Sequence, residues 1–247
     1  KKAAHLTEGI RDCQVTPIKI DMDFRFWQEK QNNYKPKRIY DIKDIIKICQ
    51  LYILKMEEWF VTPDPEERIC FILQKENPVY DIDKKTKEPK HNDDGLLRVK
   101  DGVHIMFPNL CSENELQLIF RDDVYKSSEC GEILDKFNFD NAYADIFDKA
   151  VIDRNNWQMY GSSKNKDAQA YRVVKIVEVY KDKYNEIPLS TYTNKELVKL
   201  LSVRNKDELS LIKFEKQSEY NEYKNKRNIL AMKKKKYSKK GRKKKYK

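Results

Sequence analysis

Apolar residues occupy every second position from Ile18 to Phe24, which predicts a β-strand over residues 17–25. Successive side chains of a strand point to opposite faces, so the apolar set faces a core while Asp21 and Asp23 share the other face. Side chains two positions apart on a strand lie roughly 6.5–7 Å from each other. Two carboxylates held in this way can turn towards the same divalent cations.

Helical spacing of apolar residues predicts a long amphipathic helix from Ile39 to Phe60, ending before Pro63. Ser112 with Glu115 forms a capping-box pattern, and Thr193 is a second candidate cap. Further helices are predicted from the cap signals and from charge patterns. They cover residues 112–125, 129–137, 193–201 and 208–229.

Other segments carry strand patterns. They cover residues 69–73, 79–82, 96–99, 102–107, 157–160 and 171–180, the last of these as the final strand. Strands and helices intermix without a βαβ rhythm and without an internal repeat, so the pattern favours the α+β class with a mixed or antiparallel sheet.

The net charge of +11 is concentrated in one place. Residues 233–247 hold eleven Lys and Arg and no acid, and the rest of the chain has as many basic as acidic residues. Such a run repels itself and predicts a disordered tail. Two interpretations are open for this tail. It can be a solvated linker, or it can have a function as a phosphate-binding arm or a localisation signal. The first residue is Lys, so we expect a piece of a longer protein.

Several classes of protein are disfavoured by what the sequence lacks. Its five cysteines form no CxxC pair, which argues against a disulfide framework and predicts no zinc site. No stretch approaches 18 apolar residues and the N-terminus has no signal-peptide core, so we expect a soluble intracellular protein without membrane contact. Neither a phosphate-binding P-loop nor a G-x-G-x-x-G motif is present.

A second candidate motif is Lys100-x-Gly102-x-His104, whose three named residues share one strand face. A glycine lets a phosphate approach the backbone closely, and Lys100 and His104 can donate to triphosphate oxygens. Two other interpretations stay open from these residues alone. The Asp21/Asp23 pair can be a solvated face, and His104 can be a hydrogen-bonded core histidine.

Three segments together resemble the motifs of the archaeo-eukaryotic primase (AEP) superfamily. They read IKIDMDFR, KDGVHIMFP and DKAVIDRNNWQMYGSSK. The likeness is greatest to the primase domain of the primase–helicases of large nucleocytoplasmic DNA viruses, of the poxvirus, asfarvirus and mimivirus type. It is more distant to eukaryotic primase-polymerase. The resemblance covers residues 15–180 and implies an RRM-like catalytic sheet with flanking helices.

The resemblance implies roles for the first two motifs. Asp21 and Asp23 match the family's metal-binding pair. Gly102-Val103-His104 matches the nucleotide-binding motif, with glycine where serine is common. Because glycine has no hydroxyl, one phosphate contact would be made by the backbone or by solvent. Lys100 lies where primase-polymerases have a phosphate-binding lysine.

For the third motif two aspartates compete as metal ligand, Asp148 and Asp153. The run after Asp148 matches primase-polymerases and favours Asp148, although Gln158 stands where the relatives have arginine. The matching positions are Val151, Arg154, Asn155, Tyr160, Ser162, Ser163 and Lys164. The resemblance implies that Arg154, Asn155 and Lys164 contact nucleotide or template. Ordinary solvated charge is the alternative for Arg154 and Lys164.

The resemblance implies a DNA primase domain that binds two Mg²⁺ or Mn²⁺ ions, nucleoside triphosphates and a single-stranded DNA template. Residues 1–190 would form the catalytic domain, 191–232 a helical linker and 233–247 the basic tail. A helicase domain of the same polypeptide would follow, at the virus replication site in the host cytoplasm or nucleus. The alternatives are a metal-dependent nuclease and a non-catalytic nucleic-acid-binding module. Only the primase requires Asp21, Asp23, Asp148, Lys100 and His104 to converge in one cleft.

Overall fold

A computed structural model of the chain describes residues 5–9, 15–30, 35–61, 63–165, 168–204 and 209–243, without the side chains of residues 231 and 233–243. The strands are β1 (Thr7–Glu8), β2 (Val15–Gln28), β3 (Ile69–Gln74), β4 (Val79–Tyr80), β5 (Leu97–Glu113), β6 (Trp157–Gln158), β7 (Arg172–Val179) and β8 (Tyr184–Ile187). The helices are α1 (Ile42–Trp59), α2 (Asn114–Tyr125), α3 (Ser128–Leu134), α4 (Tyr143–Ile146), α5 (Ala150–Asp153), α6 (Asn194–Leu200) and α7 (Gln217–Lys243).

The main sheet has the strand order β2-β5-β3-β7-β8, and β4 pairs with β5 beyond the end of β3. Every pairing in it is antiparallel. A separate two-stranded ribbon joins β1 to β6. The chain therefore has the predicted α+β class, with the antiparallel sheet and flanking helices that the resemblance implies.

The apolar alternation of β2 builds the principal core. Its residues from Ile18 to Phe26 that face α1 are at most 4% exposed. Helix α1 begins at a capping box formed by Asp41 and Asp44, and it buries Ile45, Cys49, Ile53 and Met56 against the sheet. Each fully buried side chain of this size contributes about 1.5–3 kcal/mol. The polar face of β2 is consequently turned away from α1.

A smaller apolar cluster lies beside that polar face. It contains Leu73 and Met106 of the sheet, Ile152 of α5 and Leu197 of α6. Thr193 caps α6 with Glu196 in a capping box, as the sequence predicts. Helices thus cover both faces of the sheet but leave a polar strip between them.

Three predictions about elements are wrong. Ser112 is buried within β5, and α2 begins after Glu113 without a side-chain cap, so the Ser112–Glu115 capping box is absent. β7 is not the last strand, because the short polar strand β8 pairs with it. The predicted helix from residue 208 begins only at Gln217, and residues 205–208 lie outside the described chain.

The C-terminal helix α7 reaches Lys243, whereas the charge run predicts disorder from residue 233. Lysine and arginine are good helix formers and no proline interrupts the run, which accounts for the difference. Residues 244–247 lie outside the described chain. The division into catalytic domain, linker and tail stays a prediction.

Four cysteines are buried free thiols, namely Cys49, Cys70, Cys111 and Cys130, while Cys13 falls outside the described residues. None of the helices described has both the length and the apolar character needed to cross a bilayer.

Candidate active site

The pairing of β2 with β5 brings the first two motifs together. Asp21 lies directly opposite His104, and Asp23 lies opposite Gly102. Both pairs stand on the face turned away from α1, because the alternating neighbours Met22 and Val103 are fully buried in the principal core. Residues about eighty positions apart in the sequence thus share one strip of sheet.

The third motif is held against β2 by backbone contacts. Phe147 forms an isolated antiparallel bridge with Met22, and the Asp148 N–H donates to the Asp21 carbonyl at 2.9 Å. The Asp148 carboxylate accepts from the Ala150 N–H at 2.8 Å, at the start of α5. Asp148 is therefore placed beside Asp21.

Asp153 lies at the end of α5 and is directed elsewhere. Its carboxylate pairs with Arg227 of α7 at 2.7 Å and with Arg154 at 3.2 Å. It is absent from the lining of the cavity that Asp148 enters. The geometry favours Asp148 over Asp153 as the partner of Asp21 and Asp23.

Arg121 of α2 fixes the position of the Asp148 segment. This side chain is nearly buried, and it donates to the carbonyls of Phe147 and Ala144, both at 2.6 Å. Because Phe147 directly precedes Asp148, the Arg121 guanidinium fixes the backbone that positions the Asp148 carboxylate. An isolated arginine in a helix pattern gives no sequence signal for this role.

Replacing Arg121 by methionine is expected to lower the free energy of unfolding by about 2–4 kcal/mol, because the buried Phe147 carbonyl and the partly buried Ala144 carbonyl lose their donor. Mn²⁺ affinity should fall with it, since Asp148 is no longer held. Chemical denaturation and a Mn²⁺ titration measure both. Arg172→Met, at an exposed position of β7, is the matched control. Equal unfolding free energies for the two variants would contradict this role.

A cavity of about 350 Å³ opens on the polar strip. Acidic, basic and aromatic side chains all line it. Its lining residues are His5, Thr7, Asp21, Asp23, Lys75, His104, Asp148, Val151, Asn155, Asn156, Trp157, Gln158, Ser163, Lys164, Ala168, Gln169 and Tyr171. The cavity therefore combines three carboxylates with two lysines and two histidines.

The carboxylate of Asp21 is the least favourably placed charge in this cavity. Its Oδ1 is buried and lacks a hydrogen-bond donor in the described chain. Burial, followed by the nearby Asp23 and Asp148 carboxylates, raises the pKa of Asp21 well above its ordinary value, against smaller opposing effects of Lys75 and Arg25. Three mutually repelling carboxylates are what a divalent cation would stabilise. Among the described residues, no three acidic, histidine or cysteine side chains are grouped closely enough to hold a metal ion as they stand.

His104 is an electrically neutral member of the site. Its ring stacks on Tyr171 at 3.6 Å between centroids and packs on Trp157 at 4.6 Å. Burial, together with Lys75, lowers the pKa of His104 to about 3. Nε2 lies 3.5 Å from Asp21 Oδ1. The imidazole can therefore donate or accept one hydrogen bond at neutral pH without adding charge.

Lys75 brings a cation into the cavity, where the sequence motif predicted Lys100. It directly follows β3 and lines the cavity, and Arg38 fixes its backbone by donating to its carbonyl at 3.0 Å. Burial lowers the pKa of Lys75, although Asp23 and Asp21 act in the opposite direction. No motif marks Lys75 in the sequence. The one available signal is a lysine directly after an apolar strand.

Lys100 shares the face of Gly102 and His104 but does not line the cavity. Its ammonium pairs with the buried Asp81 at 2.9 Å. The structure therefore differs here from the prediction of a nucleotide-binding Lys100, because a buried carboxylate beside β4 takes up its charge.

The remaining predicted contacts divide into two groups. Asn155 and Lys164 line the cavity, whereas the exposed Arg154 lies outside its lining and pairs with Asp153. Gln158 also lines it, and its amide donates to the Ser162 carbonyl.

The N-terminal segment also contributes, which sequence patterns did not indicate. β1 pairs with β6, so that His5 and Thr7 reach the cavity. The His5 ring lies 3.0 Å from the Ser163 carbonyl oxygen. Glu8 anchors the segment by accepting from the Ser202 hydroxyl at 2.6 Å and the Val203 N–H at 2.8 Å.

Comparison with known proteins gives two matches. Residues 1–177 match the family model of the C962R protein N-terminal AEP domain. Over 169 residues the chain is 27% identical to a protein of Acanthamoeba polyphaga mimivirus described as "Putative helicase L207/L206". That match takes in 68% of this chain and 15% of the relative, so the chain spans a small part of the relative's length.

Proposed function

The chain belongs to the family of C962R-type N-terminal AEP domains, the archaeo-eukaryotic primases, and on that premise we propose that it synthesises primers on single-stranded DNA from nucleoside triphosphates. The observation that carries the proposal is the convergence of Asp21, Asp23 and Asp148 with Lys75 and His104 in one cavity on the sheet. Family membership supports a primase-type nucleotidyltransferase, and the cavity supports this chemistry in particular.

Asp21, Asp23 and Asp148 would hold Mg²⁺ or Mn²⁺. The fit rests on the unpartnered buried Asp21 Oδ1 and on the oxygen-only character of the three side chains. Mg²⁺ commonly binds through one or two carboxylates together with substrate phosphates and water, so an open set of ligands suits it. When bound, such ions neutralise the triphosphate and lower the pKa of the attacking hydroxyl.

The other side chains of the cavity act on the nucleotide. Lys75 and Lys164 attract the triphosphate oxygens, and the neutral His104 offers them a hydrogen bond. The 3′-hydroxyl of the growing strand attacks the α-phosphorus and gives its proton to water. A new P–O bond forms, the bond from the α-phosphorus to the bridging oxygen breaks, and pyrophosphate leaves with the electron pair. Asn155 lies within the cavity, where its amide would orient the nucleotide, and the exposed Arg154 outside the cavity would contact the template strand.

Two observations disfavour the alternatives. A nuclease also needs paired carboxylates, but it has no triphosphate for Lys75 and His104 to bind. A non-catalytic binding module does not require three mutually repelling carboxylates in one cavity, and their repulsion is unfavourable for the fold. Asp21, Asp23, Asp148 and His104 line one cavity, with Lys75 where the primase hypothesis expected Lys100, and this arrangement supports the proposal.

The long mimivirus relative described as a helicase suggests the setting of this activity. We infer that the primase works beside a helicase domain of the same polypeptide during copying of a viral genome. Location in the virus replication compartment stays a prediction.

Primer synthesis on single-stranded DNA tests the proposal. Homopolymer templates, labelled nucleotides and Mg²⁺ or Mn²⁺ should give a product from the complementary nucleotide alone, while an end-labelled template stays intact. Cleavage of the template without synthesis would establish the nuclease. Template binding without either reaction from a folded chain would favour the binding module.

A further inference from the structure

Gly102 leaves a space in β5 that the side chain of Tyr171 fills. A Cβ atom built on Gly102 would lie 2.6 Å from the Tyr171 hydroxyl oxygen and 3.2 Å from the Met22 carbonyl oxygen. Real Cβ atoms essentially never approach a neighbour as closely as the first distance, so any other residue at 102 would displace the tyrosine. The phenol oxygen thus occupies the space that the Cβ atom of any other residue at this position would need.

Tyr171 reaches Gly102 from two strands away. It directly precedes β7, which pairs with β3, and β3 in turn pairs with β5. The Lys75 ammonium lies 4.7 Å from the centre of the Tyr171 ring, so the ring extends past the end of β3 towards β5. Across β5 from Gly102 lies Asp23. The hydroxyl consequently stands between a cavity lysine and a candidate metal ligand.

The ring is held in this position. It is 7% exposed and stacks on His104 at 3.6 Å with an interplanar angle of 19°. His104 is itself packed on Trp157. A hydroxyl carried by a ring fixed on one face by His104 loses little further freedom when it binds a ligand, which favours binding.

We propose that the Tyr171 hydroxyl, admitted by the missing side chain of Gly102, is a hydrogen-bond donor to a phosphate oxygen of the incoming nucleoside triphosphate. This inference rests on the proposed function. Glycine and tyrosine then form a matched pair: the glycine makes the space and the tyrosine supplies the polar group. Gly102 acts by admitting Tyr171 and is a positioning residue, whereas Tyr171 touches the substrate.

The matched pair predicts reciprocal behaviour of three variants. Tyr171→Phe keeps the ring and removes the hydroxyl, so nucleotide affinity should fall about 10-fold, the scale of one hydrogen bond to a charged group. Gly102→Ser pushes the tyrosine out of place and should weaken binding at least as much. Combining both changes removes the phenol oxygen that the new Cβ atom would meet and supplies a serine hydroxyl on the same strand face, so affinity should return to within about threefold of wild type.

Equilibrium binding of a fluorescent ATP analogue with Ca²⁺, which supports binding without turnover, measures these effects. The KM and kcat of primer synthesis provide a second readout, in which KM should rise while kcat changes little. Tyr180→Phe at the far end of β7 and Gly131→Ser in α3 are matched controls that should bind like wild type. Thermal unfolding establishes that each variant is folded.

Weak binding by both single variants, with recovery in the double variant, supports the matched pair. Wild-type affinity in Tyr171→Phe, or a double variant no better than Gly102→Ser, would overturn it while leaving the primase proposal standing. A wild-type chain that binds no nucleotide and makes no primer would overturn the proposed function and this inference together.

Discussion

Replacing Asp21 and Asp23 together by asparagine is expected to lower the rate of primer synthesis by a factor on the order of 10³ or more, because both ligands from β2 lose their charge. The asparagine side chains keep the shape of the strip, so template binding should persist. Initial rates with labelled nucleotides measure the loss. Asp93→Asn/Asp94→Asn, in the exposed loop before β5, is the matched control and should retain wild-type rates.

The same double variant should be more stable than wild type in metal-free buffer. The pKa of Asp21 is raised in the folded state, so the folded chain holds this proton more tightly than the unfolded chain. The free energy of unfolding of wild type therefore falls as pH rises above the ordinary value of 3.8, and asparagine removes that loss. Thermal unfolding in EDTA should give a higher midpoint for the variant at pH 7. Added Mn²⁺ should raise the midpoint of wild type only.

A lower midpoint for the double variant in EDTA would mean that the carboxylates stabilise the metal-free fold. Unchanged synthesis would remove them from the chemistry altogether. The first result would contradict the unfavourable placement of the Asp21 charge, and the second would contradict a catalytic role for the two β2 aspartates.

Replacing Lys75 by methionine is expected to reduce the kcat/KM for the nucleotide by about 10–100-fold, the cost of one charge-assisted hydrogen bond to the triphosphate. Lys100→Met should change it less than about threefold, because the Lys100 ammonium pairs with Asp81 outside the cavity. Steady-state kinetics with a fixed template compare the two. Asp81 keeps Lys90 and Arg98 as partners, so Lys100→Met should still fold.

The reverse order, with Lys100→Met the more damaging, would restore the prediction made from the motif and remove Lys75 from the site. Equal and small effects would show that neither ammonium contacts the triphosphate.

The placement of the first two motifs could be predicted because side chains along a β-strand alternate between its two faces. The alternation around Asp21 fixes which face is buried, and the same argument fixes the face of His104. Helix α1 was equally readable, since its apolar positions follow helical spacing up to Pro63. These features are local, and the burial of one face is enough to determine them.

Features that depend on partners distant in sequence could not be predicted. Lys100 has the right strand face, but the sequence does not show that Asp81 would neutralise it. Lys75, Tyr171 and Arg121 acquire their roles only from strand order and helix packing. Ser112 fits a capping pattern, yet β5 extends through it because pairing with β2 continues to Glu113.

The most direct test compares Asp148→Asn with Asp153→Asn for primer synthesis beside the wild-type chain. Asp148 lines the cavity with Asp21, whereas Asp153 pairs with Arg227 of α7. The proposed site predicts a loss on the order of 10³-fold for Asp148→Asn and less than about fivefold for Asp153→Asn. Near-wild-type synthesis by a folded Asp148→Asn, or a greater loss in Asp153→Asn, would contradict the assignment of this cavity as the active site.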